Sequence, residues 1–559
     1  MLRSKSEVTM TSECSGKRLL ILGAGIMQGP AISIAKDMGL YTVVVDGDPR
    51  APEAAKADRF ECIDLKDKEG IQTLGATLQS HGGLAGVMTA GTDFSATVAW
   101  AAEKLGLPGI PYAAALNASN KDRMRRCFAA AGVPSPQFTT FTTKSLGRSP
   151  KKLPFDFPVV VKPVDNMGGR GCRRVNSSKE LTDALPEALE FSRSGKAIVE
   201  EFMDGPEFSV DAIVNNENIM VCGFADRHIF YPPYFIEMGH TMPSAQDSAV
   251  IKSLLEVFFA GVRSLGISAG YGAAKGDLKL TARGPMIGEI AARLSGGYMS
   301  GWTYPYASGV EVTRGAILAA LGRPWSPGPD RNRTSAERAF ISIPGKVHSI
   351  HGLDQARKTR YVKNIFLRIA EGSLVRFPEN NVTKCGNIIS AAPSRKAAVN
   401  AAENAARKIV IRLDINQRET DAFLAFHADA FPPDAFSLPP DIHAALNSIP
   451  VQPIPDLLHA AAGDLPLIGI HPFPEFTGCK IRDYAGRTPR ESLEIIRVIT
   501  GLALPIMEGE IHGIVLDRNF WNALIRGGYQ GGMYFIDTLL KKQEITRKKL
   551  NKKRGQNKL

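Results

Sequence analysis

The stretch RLLILGAGIMQGPAISIAKDMGLYTVVVDGD, residues 18 to 48, constrains the fold more than any other part of the chain. It reads as an apolar run, a glycine-rich turn, an amphipathic helical stretch and a second apolar run. LAGVMTAGTDFSATVAWAAEKLGL, residues 84 to 107, repeats strand, turn and helix. Such alternation calls for a parallel sheet with right-handed crossovers. Gly23 and Gly25 suit a tight turn after the first strand, and Asp46 ends the second. Gly29 falls one residue late for the dinucleotide fingerprint G-x-G-x-x-G. A turn serving another ligand, or packing alone, therefore fits better than NAD(P) binding.

A chain of 559 residues is too long for one core. The pattern predicts an α/β and α+β multidomain protein. Its expected parts are a disordered N-terminus (1–17), a parallel-sheet α/β domain (18–117), a two-lobed α+β domain (118–330) and a β-rich subdomain (331–429). An extra domain of unassigned role (430–540) and a disordered basic tail (541–559) complete it. NKDRMRRCFAAAG reads as a basic amphipathic helix over 119–131, stopped by Gly132 and Pro134. AFPPDAFSLPPD, 430–441, is the expected linker. No apolar run of 18 residues occurs, which argues against a membrane span, and Met1 to Gly16 lacks the apolar region of a secretory signal. The seven cysteines are scattered, with no Cys-x-x-Cys, so a reducing cytoplasmic setting is expected and structural zinc is not. The net charge of +12 is uneven: residues 541–559 hold nine Lys/Arg against one acid, a net +8, leaving +4 for the other 540 residues. A solvated tail is favoured there over a nucleic-acid contact.

VVVKPVDNMGGRGCRRV, 159–175, puts a lysine on a strand before a glycine-rich loop, the reverse of the P-loop order. Lys162, with Lys121 on the preceding helix, could neutralise a triphosphate. Gly168, Gly169, Arg170 and Gly171 would form a loop whose N–H groups approach phosphate oxygens and which moves as a lid. In AIVEEFMDGPEFSVDAIV, 197–214, a strand ends at Glu200-Glu201-Phe202-Met203. Its backbone edge suits adenine, with Phe202 or Met203 against the ring, and Glu207 can accept from ribose hydroxyls. In YGAAKGDLKLTARGPMIGEIAARLSGG, 271–297, a hairpin register pairing Leu280 with Met286 sets Asp277 opposite Glu289. Opposed acids cost roughly 0.2–1 kcal/mol across an antiparallel pair, a cost a bridging cation removes. Oxygen ligands beside a triphosphate suit Mg²⁺. A surface hairpin whose acids pair with Lys275 or Lys279 leaves the same pattern, and a slip of one residue separates the two acids. Arg293, four residues on, could stabilise charge on a transferring phosphoryl group.

The order of these elements resembles the ATP-grasp superfamily over roughly residues 18 to 415, with 18–117 as its pre-ATP-grasp domain. It looks most like the carboxylate–amine ligases of the L-amino-acid ligase type. EMGHTMPS, 237–244, is similar to a Gly-His-x-x-Pro stretch near their acyl substrate. The resemblance implies ATP and Mg²⁺ as cofactors, with Mn²⁺ able to replace the latter. It implies Lys121 and Lys162 on phosphates, the 166–171 loop above them, and Glu200, Glu201, Phe202 and Met203 around adenine. Glu207 would hold ribose, Asp277 and Glu289 the metal, and Arg293 would assist phosphoryl transfer. Arg227, His228, His240, Ser295, Gly296 and Gly297 would contact the substrates. Many members carry a metal-binding Asn where this chain has Ala291. The implied partners are a small-molecule acid and amine, with a homodimer left open. A glycinamide ribonucleotide synthetase-like ligase and a non-catalytic ATP-binding regulator are the rival readings.

Overall fold

The computed structural model describes residues 14–145, 153–425, 431–451, 467–502 and 513–556. Residues 1–13 of the expected disordered N-terminus lie outside these. The chain divides into two compact units, Met1–Glu337 with Ile389–Val399, and Arg338–Ile388 with Asn400–Leu559.

The first unit opens with the expected parallel sheet. Strands β1 (Arg18–Leu22), β2 (Tyr41–Asp46), β3 (Arg59–Cys62) and β4 (Leu84–Thr89) lie in the order β3-β2-β1-β4. Leu19 to Leu22 and Val43 to Val45 are fully buried, as continuous apolar runs in a two-sided parallel sheet should be. The glycine-rich turn after β1 is closed internally. Asp46 accepts from the Ala24 N–H at 2.7 Å, and Gln28 accepts from the Gly25 N–H at 2.9 Å.

Two further sheets follow. Strands β5 (Phe138–Thr142), β6 (Val159–Pro163), β7 (Arg173–Val175) and β8 (Lys196–Glu201) form an antiparallel sheet in the order β5-β8-β6-β7. The glycine-rich loop joins β6 to β7. Gly168, Gly169 and Gly171 all have positive φ (71°, 77° and 64°), so the loop's path requires residues without a Cβ. Strands β9 (Glu207–Asn215), β10 (Asn218–Phe230), β11 (Ile236–Met242), β12 (Tyr271–Thr281) and β13 (Gly284–Ala291) form the larger sheet, in the order β13-β12-β9-β10-β11. Helix Ser248–Ser264 buries Leu254, Phe258 and Val262 against it, in one cluster with Val210, Ile287 and Ile290.

In the second unit, strand Gly345–His351 pairs with Leu374–Val375 and with Val410–Leu413. The expected division at 430–441 is not observed. Within that segment the Ala435 and Phe436 N–H groups donate to Arg526 and Ile525 carbonyls, at 3.2 and 3.0 Å. Phe436 is fully buried against Phe476, and Phe476 against Trp521. The Pro-rich spelling encodes an extended, well-packed segment, because Ala435 and Phe436 are apolar residues the core can use. The C-terminal helix Arg518–Gln556 kinks at Gly528, where φ is +61°. It is tied to strand Val410–Leu413: Tyr529 accepts from the Ile411 N–H at 2.8 Å, and Arg412 grips Asp537 with two hydrogen bonds. Residues 541–556, expected to be disordered, continue this helix. No helix of the described residues is long and apolar enough to cross a membrane.

The second unit thus has one aromatic core running from 435 to 539. Phe476→Ala empties its centre and should cost about 3–5 kcal/mol. A fall in the denaturant midpoint followed by tryptophan emission measures that cost, and an unchanged midpoint refutes the assignment.

Candidate active site

The site is one face of the larger sheet, read as rows across its strands. In the first row Lys279 lies opposite Glu207, Glu207 opposite Arg227, and Arg227 opposite His240. In the second, Glu289 lies opposite Asp277 and Asp277 opposite Ser209. In the third, Ala291 lies opposite Lys275 and Lys275 opposite Asp211. Residues two apart on a strand share a face, so the three rows stack into one charged surface.

The pairing of Asp277 with Glu289 comes about in a way the hairpin's spelling does not reveal. At the turn the register is shifted by one from expectation, with Leu280 opposite Pro285 and Lys279 opposite Met286. Continued unbroken, it would set Asp277 opposite Gly288. A bulge between Asp277 and Leu278 adds one residue on β13 and brings Glu289 back opposite Asp277.

Acids set opposite one another stay ionised only among cations. Burial pushes the Glu289 carboxyl up, yet Lys121, Lys275, Lys162 and Arg293 bring it down to about 2. Lys121 lies 3.3 Å from Glu289 and also donates to the Asn166 carbonyl at the base of the glycine loop. Burial likewise raises Asp277, but Arg227 and Lys275 hold it below the usual carboxylate range. The Ser209 hydroxyl donates to Asp277 at 2.9 Å. Two ionised carboxylates facing one another are a donor set for Mg²⁺, which completes its shell with water and phosphate. Among the described residues no cluster of three or more His, Cys, Asp or Glu could hold a metal.

Several expected residues hold other posts. Glu200, expected at the adenine edge, is 2% exposed and bonds Arg125 at 2.8 Å and Lys162 at 2.6 Å. It thus clamps Lys162 to Arg125. Glu201 accepts from the Gln137 N–H at 3.0 Å and pairs with Arg283 at 2.6 Å. The Phe202 ring carries Arg174 at 4.4 Å and Lys279 at 5.1 Å from its centroid, and Lys279 also donates to the Met203 carbonyl. Glu207 pairs with Lys279 at 2.9 Å and Arg227 at 3.3 Å. Arg227, expected on substrate, spends its guanidinium on Glu207, Glu237 and Asp277. Burial disfavours its charge, but Asp277, Glu237 and Glu207 more than restore it. His228 bonds Thr241 at 2.9 Å. Ser295, expected to donate to a substrate carboxylate, gives both its N–H and its hydroxyl to buried Asp211.

Arg293 reaches the Thr92 carbonyl at 2.9 Å and Met167 of the glycine loop. Asp93, beside Thr92, faces Arg170 of that loop at 3.6 Å and Arg193 at 3.2 Å. His240 is 1% exposed between Glu237 and Glu337, 3.5 and 2.6 Å away. A Cβ on Gly297 would fall 2.9 Å from Glu237 and 3.5 Å from His240, so the Gly296–Gly297 turn closes over that pair. Sequence reasoning missed Arg125, Asp211, Glu237, Glu337 and Asp93. None of these carries a local sequence signal.

Three families match in chain order. The ATP-grasp N-terminal domain matches residues 32–109, the ATP-grasp domain 118–297, and the L-amino acid ligase C-terminal domain 2 residues 339–414. The chain belongs to the ATP-grasp superfamily. Its residues 339–414 are similar to a C-terminal domain of the L-amino acid ligases. This ATP-grasp chain is 25% identical over 410 residues to "Uncharacterized protein y4rH" of Sinorhizobium fredii, covering 72% of this chain and 84% of that one. It is 25% identical to carnosine synthase 1 of Gallus gallus over 55% of this chain and 36% of that one. With D-alanine--D-alanine ligase of Pseudomonas putida it shares 27% identity, over 28% and 52%. It thus spans about a third to a half of these two ligases. In fold it is similar to L-amino acid ligase from Bacillus licheniformis (TM-score 0.61, 22% identity, 72% of this chain and 99% of that one). Phosphoribosylglycinamide synthetase from Anaerococcus prevotii is similar too (0.56, 21%, 71% and 100%). The matched families end at residue 414, and the aromatic core of the second unit, Val410 apart, lies beyond it.

Two outcomes test the electrostatics. Burial lowers the His240 pKa, but Glu237 and Glu337 raise it to about 9 from 6.5. The raised value means that the stabilisation is complete below pH 6.5 and lost as pH rises through 9, up to about 3 kcal/mol. Wild type should therefore lose stability relative to His240→Gln across that window, and parallel pH profiles would refute the ion pair. Glu200→Gln leaves Arg125 buried without its counter-charge and should destabilise by about 3–5 kcal/mol, measured by denaturant titration.

Proposed function

We propose that the protein joins the carboxylate of one amino-acid-like substrate to the amine of a second, at the expense of ATP. The observation that carries this reading is the facing, ionised pair Asp277 and Glu289, with Lys121, Lys162 and Arg293 close enough to keep Glu289 charged. Phosphoryl transfer asks the protein mainly for position and positive charge, and this face supplies both.

The substrate carboxylate attacks the γ-phosphorus, giving an acylphosphate and ADP. The amine then attacks the acyl carbon, and phosphate leaves. Lys162 and Lys121 hold the phosphates, while Glu200 and Asn166 fix the positions of their ammonium groups. The 166–171 loop excludes water that would hydrolyse the acylphosphate. Asp277 and Glu289 would hold Mg²⁺, whose charge draws electrons from the transferring group. Phe202 and Met203 border the adenine site, and Glu207 faces the ribose. Glu237, beside His240 and the Gly296–Gly297 turn, is the carboxylate placed to take a substrate ammonium. Arg227 ties the ribose, metal and substrate carboxylates together.

ADP release measured with mixtures of amino acids tests the reading. Turnover should need an acid and an amine together. Release of ADP only when an amino acid is paired with a ribosylamine as the amine points to the purine-type ligase, and ATP binding without release to a regulator. Asp277→Asn and Glu289→Gln should each lower ligation at least roughly 100-fold, several kcal/mol of lost charge stabilisation. Either variant retaining near-wild-type rates would sink the assignment.

A further inference from the structure

The third row of the charged face is not explained by the reaction. Ala291 lies opposite Lys275, and Lys275 opposite Asp211. This row adjoins the one holding Glu289 and Asp277, on the same face. Lys275 reaches across and donates to the Asp277 carboxylate. It lies close enough to Glu289 to help hold it ionised, and its side chain is 14% exposed. Asp211, at the row's far end, is fully buried and accepts both the N–H and the hydroxyl of Ser295.

We propose that this chain binds one divalent cation with its nucleotide, and that Lys275, set opposite Ala291, supplies the positive charge a second cation would bring. The inference rests on the nucleotide reading above. A hard cation needs oxygen ligands. Beside Glu289 the strand offers a methyl group at Ala291, and the facing position offers an ammonium, which only donates. Asp211 is turned to Ser295. Two carboxylates remain, enough for one ion shared with phosphate. A second dication sharing Asp277 would meet the Lys275 ammonium, which already holds one Asp277 oxygen. Lys275 is therefore a built-in countercharge for the triphosphate: present before nucleotide arrives, and independent of the free metal concentration.

The full-length protein with one equivalent of a non-hydrolysable ATP analogue is titrated with Mn²⁺, and free ion is counted by its paramagnetic resonance signal. Wild type should hold one Mn²⁺ per chain; two per chain overturns the inference and leaves the ligase reading standing. The double substitution Lys275→Ala/Ala291→Asn removes the ammonium and adds an amide oxygen, and the count should rise to two. A count that stays at one overturns the assignment to these positions. If no nucleotide-dependent Mn²⁺ binding occurs in wild type, the inference falls together with the nucleotide reading.

Discussion

Two carboxylates set directly opposite each other across an antiparallel pair repel, at a cost of roughly 0.2–1 kcal/mol. Asp277 and Glu289 are in this position, and the rest of the first unit is arranged around it. The compensating charges come from separate elements: Lys121 from a helix, Lys162 from β6, Lys275 from β12, Arg227 from β10 and Arg293 from beyond β13. None of them is a sequence neighbour of all the others. The face is electrically balanced only once the helix and both sheets have assembled.

Beneath that surface lies a second layer of buried charge. Glu200 bonds Arg125 and Lys162 together, and Arg125 extends to the Gly288 carbonyl at the bulge. One chain of hydrogen bonds therefore runs from Lys162 to the bulge that sets Asp277 opposite Glu289. Asp211 does comparable work for the turn at 295–297. Burial raises its pKa to about 6 despite the two donors from Ser295. Such buried polar groups are costly when left unpaired, so they fix one arrangement of loops around the site.

The first unit also joins its α/β sheet to the reacting face. The Leu294 carbonyl accepts from the Gly91 N–H at 3.3 Å, and the Thr92 carbonyl accepts from Arg293. The loop after β4 thus touches both the arginine and, through Asp93, the glycine loop. This is the crevice at the carboxyl ends of the strands, where α/β sheets bind ligands. The second unit is organised on a different principle, aromatic packing around Trp521 and a kinked helix hydrogen-bonded to strand Val410–Leu413.

The residues alone determined the parallel sheet, because continuous apolar strands between glycine turns and helices have few other solutions. They also determined the presence of the lysines, the glycine loop and the two acids of the hairpin, since these lie on single hairpins or on neighbouring elements. Only the tertiary structure decided which partner each carboxylate meets. Glu200 and Glu207 look alike on the strand, and the partners that distinguish them, Arg125 and Arg227, lie 75 and 20 residues away. The bulge on β13 likewise depends on how β12 pairs with β9, not on the turn. The packing of 431–441 and the helix beyond 540 were illegible for the same reason: proline and lysine content reports local preference, while burial and pairing are settled by what the chain meets when it folds.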